Sequence, residues 1–203
     1  HAATPYQGAN AALHLLNFIG SAFQDRFAQQ TYALLSDWKG SGLHCETEGA
    51  YMGFLTLNTG IIHIDRHEAS ILLDIRYPND IDADYIESKI KEALFEADYP
   101  LMASVKKQVD PLFVDPNSEL VTTLMDVYRT YSGDSFHPAK TIGGGTYAKK
   151  LANFVAYGPE FPRHPNETAA EIGGVHQPDE GIYLSDLQKA VAIYAEAIYR
   201  LAK

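Results

Sequence analysis

Cysteine is the scarcest residue of interest in this sequence, appearing once, as Cys45. A single thiol closes no internal disulfide, so the chain relies on burial and hydrogen bonding and suits a reducing compartment. No run of about 18 apolar residues is present, which excludes a membrane-spanning helix, and the chain opens without the basic and apolar lead of a signal peptide. Positive charge is also in short supply: 16 Lys and Arg stand against 26 Asp and Glu, a formal net charge of -10. With no basic stripe to follow a phosphate backbone, nucleic acid is excluded as a partner. The expected location is the cytoplasm. There is no His-Glu-x-x-His or Cys-x-x-Cys pattern for a self-contained zinc site, no Gly-x-Ser-x-Gly elbow and no Gly-x-x-x-x-Gly-Lys phosphate loop.

The 203 residues are 46% hydrophobic, enough for a sizeable core. After Pro5 and Gly8, the spacing of Leu13, Leu16, Phe23 and Phe27 behind a capping Asn10 predicts one helix over about 10–28. Short β-rich runs follow at 51–58, 62–65 and 70–77, then a helix marked by Tyr85, Ile86, Ile90, Ala93 and Leu94, and a strand at about 101–109. Two helices on an antiparallel sheet make an α+β domain of residues 1–110. Asp110-Pro111 and Asp115-Pro116 mark a joint, beyond which residues 111–203 read as α/β. That half carries a helix through Leu120, Leu124, Val127 and Tyr128, short strands at Thr141-Ile142 and 153–157, and an aperiodic stretch from 158 to 181. The last helix begins at the capping box Ser185-x-x-Gln188 and aligns Leu187, Val191, Tyr194 and Ile198 on one face.

Three places offer chemistry. Arg76 closes a strand before Tyr77-Pro78, where a guanidinium can grip a carboxylate with two parallel hydrogen bonds or simply pair with Asp74. Gly143-Gly144-Gly145-Thr146 either lets backbone N–H groups approach a ligand oxygen or makes a tight turn; with Ala148 it satisfies the weak dinucleotide pattern Gly-x-Gly-x-x-Ala. His176, in the aperiodic stretch with Glu180 four residues on, is either a metal ligand oriented by a carboxylate or an exposed loop histidine. His14 and His67 read as surface residues and His63 as a packed strand residue.

Four segments in this order, His1-Ala2-x-x-Pro5-x-x-Gly8-x-Asn10, Leu73-Asp74-Ile75-Arg76-Tyr77-Pro78, Ile142-Gly143-Gly144-Gly145-Thr146-Tyr147 and His176-x-x-x-Glu180, resemble the dinuclear zinc metallopeptidase family of aminoacylases, carboxypeptidases and dipeptidases. The PepV-type dipeptidases are the most similar branch, and Ala192 to Tyr199 resembles them too. The resemblance implies a lid domain at 1–110, truncated at its start, followed by the C-terminal segment of a zinc catalytic domain at 111–203. It implies that His1 stabilises the oxyanion, Arg76 and Gly145 bind substrate, and His176 ligates one of two zinc ions. The substrate would be a dipeptide with a free carboxylate. The other ligands, a bridging Asp and a general-base Glu would lie in a missing N-terminal half of the catalytic domain, leaving this chain inactive alone. The stretch 163–175 is longer than the family pattern, and Asn58-x-Gly60 resembles a lid motif but reads as a turn. The alternative is a non-catalytic binding or oligomerisation module.

Overall fold

Asn10 starts the first helix by accepting, through Oδ1, from the backbone N–H groups of Ala12 (3.0 Å) and Leu13 (3.2 Å), two of the donors a helix start leaves unpaired. The helix α1 spans Ala11–Ala22. It does not run on to residue 28 as its apolar spacing predicts. Gln24 turns to φ 55, and Asp25 caps a separate helix α2, Arg26–Leu35, by accepting from Ala28 N–H. The local cap outweighs the periodicity, and the predicted pair of helices in the first half becomes three.

The structure is a computed structural model that describes residues 2–158, 161, 173 and 178–203. These fall into two units, one made of the described residues up to Phe113 with Thr141–Gly145, the other of Val114–Lys140 with the described residues from Thr146 on. The elements are mixed, with five α-helices and two small antiparallel sheets among the described residues, compatible with an α+β class. None of the described helices is long and apolar enough to cross a membrane.

In the first unit the strands β1, Glu48–Gly49, and β2, Gly53–Phe54, form a two-stranded ribbon. The larger sheet is a hairpin of β3, Thr56–Ile64, and β4, Ala69–Arg76, with Thr56 opposite Arg76 at one end and Ile64 opposite Ala69 at the other. The runs at 51–58 and 62–65 are therefore not separate strands: Asn58 pairs with Asp74, and Gly60 sits at a register shift, so Asn58-x-Gly60 is no turn. Helix α3, Ala83–Phe95, comes next, capped by Asp82. Residues 101–109 join no ladder; Ala103 packs on the core while Met102 faces solvent, an alternation without a strand partner.

The core of this unit joins Leu35, Leu43, Cys45, Leu55, Leu57, Ile86, Ile90 and Ala93. Leu55 is 0% exposed. Leu55→Ala should destabilise this unit by about 2–5 kcal/mol, the range for a leucine truncated in a packed interior. Urea unfolding reads the change, and a loss well below that range would mean that the interior closes over the gap. Cys45 is as enclosed as its neighbours; burial pushes its thiol up to about 11, which leaves it no nucleophile near neutral pH.

In the second unit α4, Glu119–Ser132, is capped by Ser118 and ended by Gly133 at φ 74. Helix α5, Leu184–Leu201, starts after Tyr183, so Ser185 lies inside it and the predicted capping box is not formed. The face α5 buries is Asp186, Ala190, Ile193 and Ala197; Leu187, Val191 and Ile198 of the predicted stripe are exposed. Ile193 and Ala197 pack with Leu124 and Val127, and Leu187, Val191 and Ile198 are left outward. Residues 153–157 form no strand. Instead Val155 and Tyr157 pack beside the helices, and the Tyr157 hydroxyl donates to Leu124 O at 2.9 Å.

Candidate functional site

The end of the β3–β4 hairpin where Thr56 faces Arg76 gathers three segments that are far apart in sequence. Thr56 Oγ1 donates to Ala2 O at 3.0 Å, which ties the start of the chain to the sheet. Asn10 Nδ2 donates to Thr59 O at 2.7 Å and fixes the same lead segment a second time. Arg76 Nη1 donates to Gly143 O, bringing in the glycine segment. At Gly143 a Cβ would collide with the Ala3 side chain, so only glycine lets these two stretches touch. Ala2 and Ala3, Arg76, and Gly143 thus converge in the first unit. Spacing could not have found Thr56, since its link to Ala2 exists only through strand register.

The guanidinium of Arg76 is held rather than free. Nε lies 3.3 Å from Asp74 Oδ1 and Nη2 lies 3.4 Å from Asp74 Oδ2, a fork-on-fork pair on the same strand face. Of the two readings of Arg76, the pairing with Asp74 is the one formed here, and its other edge reaches the carbonyl of Gly143. The side chain keeps about a third of its surface open, at 33%. Next to it, Tyr77 donates its hydroxyl to Asp110 Oδ1 at 3.3 Å; burial and the Asp110 charge hold that hydroxyl above its usual pKa, so it stays a neutral donor. Pro78 is buried against Gly49, where a Cβ would run into the proline ring, and this seat fixes the chain direction after Arg76.

Among the described residues nothing lies within 4 Å of where a Cβ of Gly144 or Gly145 would stand, which leaves that side of their backbone open to approach. The dinucleotide reading of this stretch is not supported. Thr141 and Ile142 form no strand, and the next element is the short 3-10 turn Tyr147–Lys150 rather than an α-helix. His1 and His176 lie outside the described residues, as does most of the stretch 163–175. Glu180 makes a bridge to Gly173, whose N–H donates to Asp179 O at 2.9 Å. His67 is exposed, His14 and His63 lie at the surface, and His63 Nε2 is 3.6 Å from Asp65 Oδ2 instead of packing.

No family model matches the chain. Individual proteins do. It is 36% identical over 209 residues to "Putative dipeptidase YtjP" of Bacillus subtilis, an alignment that takes in 100% of this chain and 42% of that protein. A protein of Staphylococcus epidermidis named "Putative dipeptidase" is 34% identical, covering 99% of this chain and 42% of the relative. One from Staphylococcus aureus strain USA300 is 32% identical with the same shares. Along its whole length the chain is therefore similar to proteins named "Putative dipeptidase", and it spans about 42% of the length of each.

Proposed function

We propose that this chain is the C-terminal part of a zinc-dependent dipeptidase of the PepV type, with the lid at 1–110 and the last segment of the zinc domain at 111–203. The observation that carries this reading is the meeting of Ala2-Ala3, Arg76 and Gly143 at one sheet end, in a chain similar throughout to proteins named "Putative dipeptidase". Arg76 would take the free carboxylate of a dipeptide, exchanging part of its contact with Asp74 for the substrate, and the open backbone at Gly145 would add an N–H contact. His1, next to the anchored Ala2, would face the scissile carbonyl.

Zinc would supply a hydroxide nucleophile near neutral pH. A zinc site takes three or four protein ligands, and His176 is the one ligand this reading assigns to the chain. No group of three donors among the described residues includes the Arg76 end. On this reading the remaining ligands would come from the portion of the relatives' length that this chain does not span.

The test compares the chain alone with the full-length protein on dipeptides and on the same dipeptides amidated at the C-terminus. The chain alone should be inactive. The full-length protein should cleave free dipeptides, lose activity to a chelator, and discriminate against the amides. Hydrolysis by the chain alone that a chelator abolishes would locate a complete active site within these 203 residues and overturn the reading. Equal rates on free and amidated substrates would remove Arg76 from carboxylate binding.

A further inference from the structure

Away from the Arg76 end, His44, Glu92 and Glu96 each offer a ligand atom, and the three atoms lie within 4.8 Å of one another. We propose that these residues form a divalent transition-metal site that clamps the end of α3 to the loop before β1. His44 Nε2 already lies 3.9 Å from Glu96 Oε2. Glu92 and Glu96 stand one helical turn apart, which puts both carboxylates on one side of the helix.

What raises this trio above an ordinary surface cluster is how its backbone is held. His44 sits between Leu43 and Cys45, each 1% exposed, and takes a left-handed conformation at φ 57 that directs its ring outward from two core anchors. Ala93, at 3% exposed, pins α3 between the two glutamates. The ligands therefore start from rigid positions on both sides, and only side-chain rotation is needed to close them. Zinc bonded to imidazole nitrogen and carboxylate oxygen at about 2.0–2.2 Å sets neighbouring ligand atoms about 3.3 Å apart, so the widest separation in the trio must close by up to about 1.5 Å.

One imidazole and two carboxylates suit a borderline ion such as zinc and leave a position for water, whereas magnesium and calcium prefer more oxygen ligands. The competitor is Lys89, whose ammonium donates to Glu92 Oε2 at 2.6 Å. A metal would take the other oxygen of Glu92 or displace that lysine. The site shares no residue with the proposed peptidase centre and does not depend on it.

Zinc titration of the purified 203-residue chain by calorimetry, with magnesium as comparison, tests the site. One zinc should bind, with a rise of several degrees in the melting midpoint at saturation. His44→Asn, a residue that tolerates the left-handed backbone, and Glu96→Gln should each weaken that binding by more than about tenfold, the loss produced even by partners one shell out from a metal. His176→Gln should leave it unchanged. Circular dichroism matching wild type in each variant keeps the comparison one of ligands. Binding retained within about twofold in either His44→Asn or Glu96→Gln, binding lost only with His176→Gln, equal affinity for magnesium, or no zinc binding at all would each overturn the proposal.

Discussion

Arg76→Lys in the full-length enzyme is expected to raise KM for dipeptides by about tenfold to a hundredfold with kcat little changed. A hydrogen bond to a charged group contributes about 1.5–3 kcal/mol, and lysine, a point charge, would forfeit one prong of the two-pronged carboxylate contact proposed for Arg76. The structure adds a second reason. The guanidinium reaches Asp74 with one edge and Gly143 O with Nη1, and one ammonium cannot serve both while facing a ligand. Loss confined to KM marks binding equally strong in ground and transition states. On amidated substrates the wild-type and Arg76→Lys enzymes should converge. A fall in kcat with KM unchanged would instead place Arg76 at the reacting bond.

If His1 stabilises the developing oxyanion as proposed, removing its imidazole in His1→Ala should lower kcat by roughly 100-fold to 1000-fold with little change in KM. Metal content should be unchanged. The neighbouring backbone provides a companion experiment, because Ala2 O is held by Thr56 Oγ1 from the end of β3. Thr56→Val keeps the shape and removes the donor, so it should lose part of the same turnover without touching KM, through misplacement of His1 rather than its loss. If His1→Ala loses zinc, or if its main effect is on KM, the oxyanion role fails.

Arg76 was legible as a candidate because a lone arginine before Tyr-Pro at the end of a β-rich run needs no tertiary information to be noticed. Asn10 as a cap was legible for the same reason: capping is chemistry between neighbours. Helix α3 and helix α4 appear where their periodicity puts them, since each buries one face, Ile86, Ile90 and Ala93 in the first and Val121, Leu124 and Val127 in the second. The single helix over 10–28 failed because periodicity continues through a break that a left-handed Gln24 and a capping Asp25 impose. The stripe on α5 failed for a related reason. Apolar spacing marks a face that wants burial, but the apolar face buried in this chain is Ala190, Ile193 and Ala197, two of them small enough for a close helix approach.

By itself the sequence determined most of the helical segments, the acidic composition, the four motif segments and the standing of Arg76 as a carboxylate candidate, all of which rest on residue type and spacing. Only the tertiary structure decided that Ala2, Arg76 and Gly143 meet at one end of a hairpin, and that His44 comes within reach of Glu92 and Glu96. Those contacts join residues 67 apart at Arg76 and Gly143 and 54 apart at Thr56 and Ala2. No local pattern encodes them, because strand register and the packing of α3 on Leu43 and Cys45 fix them through burial summed over the whole core.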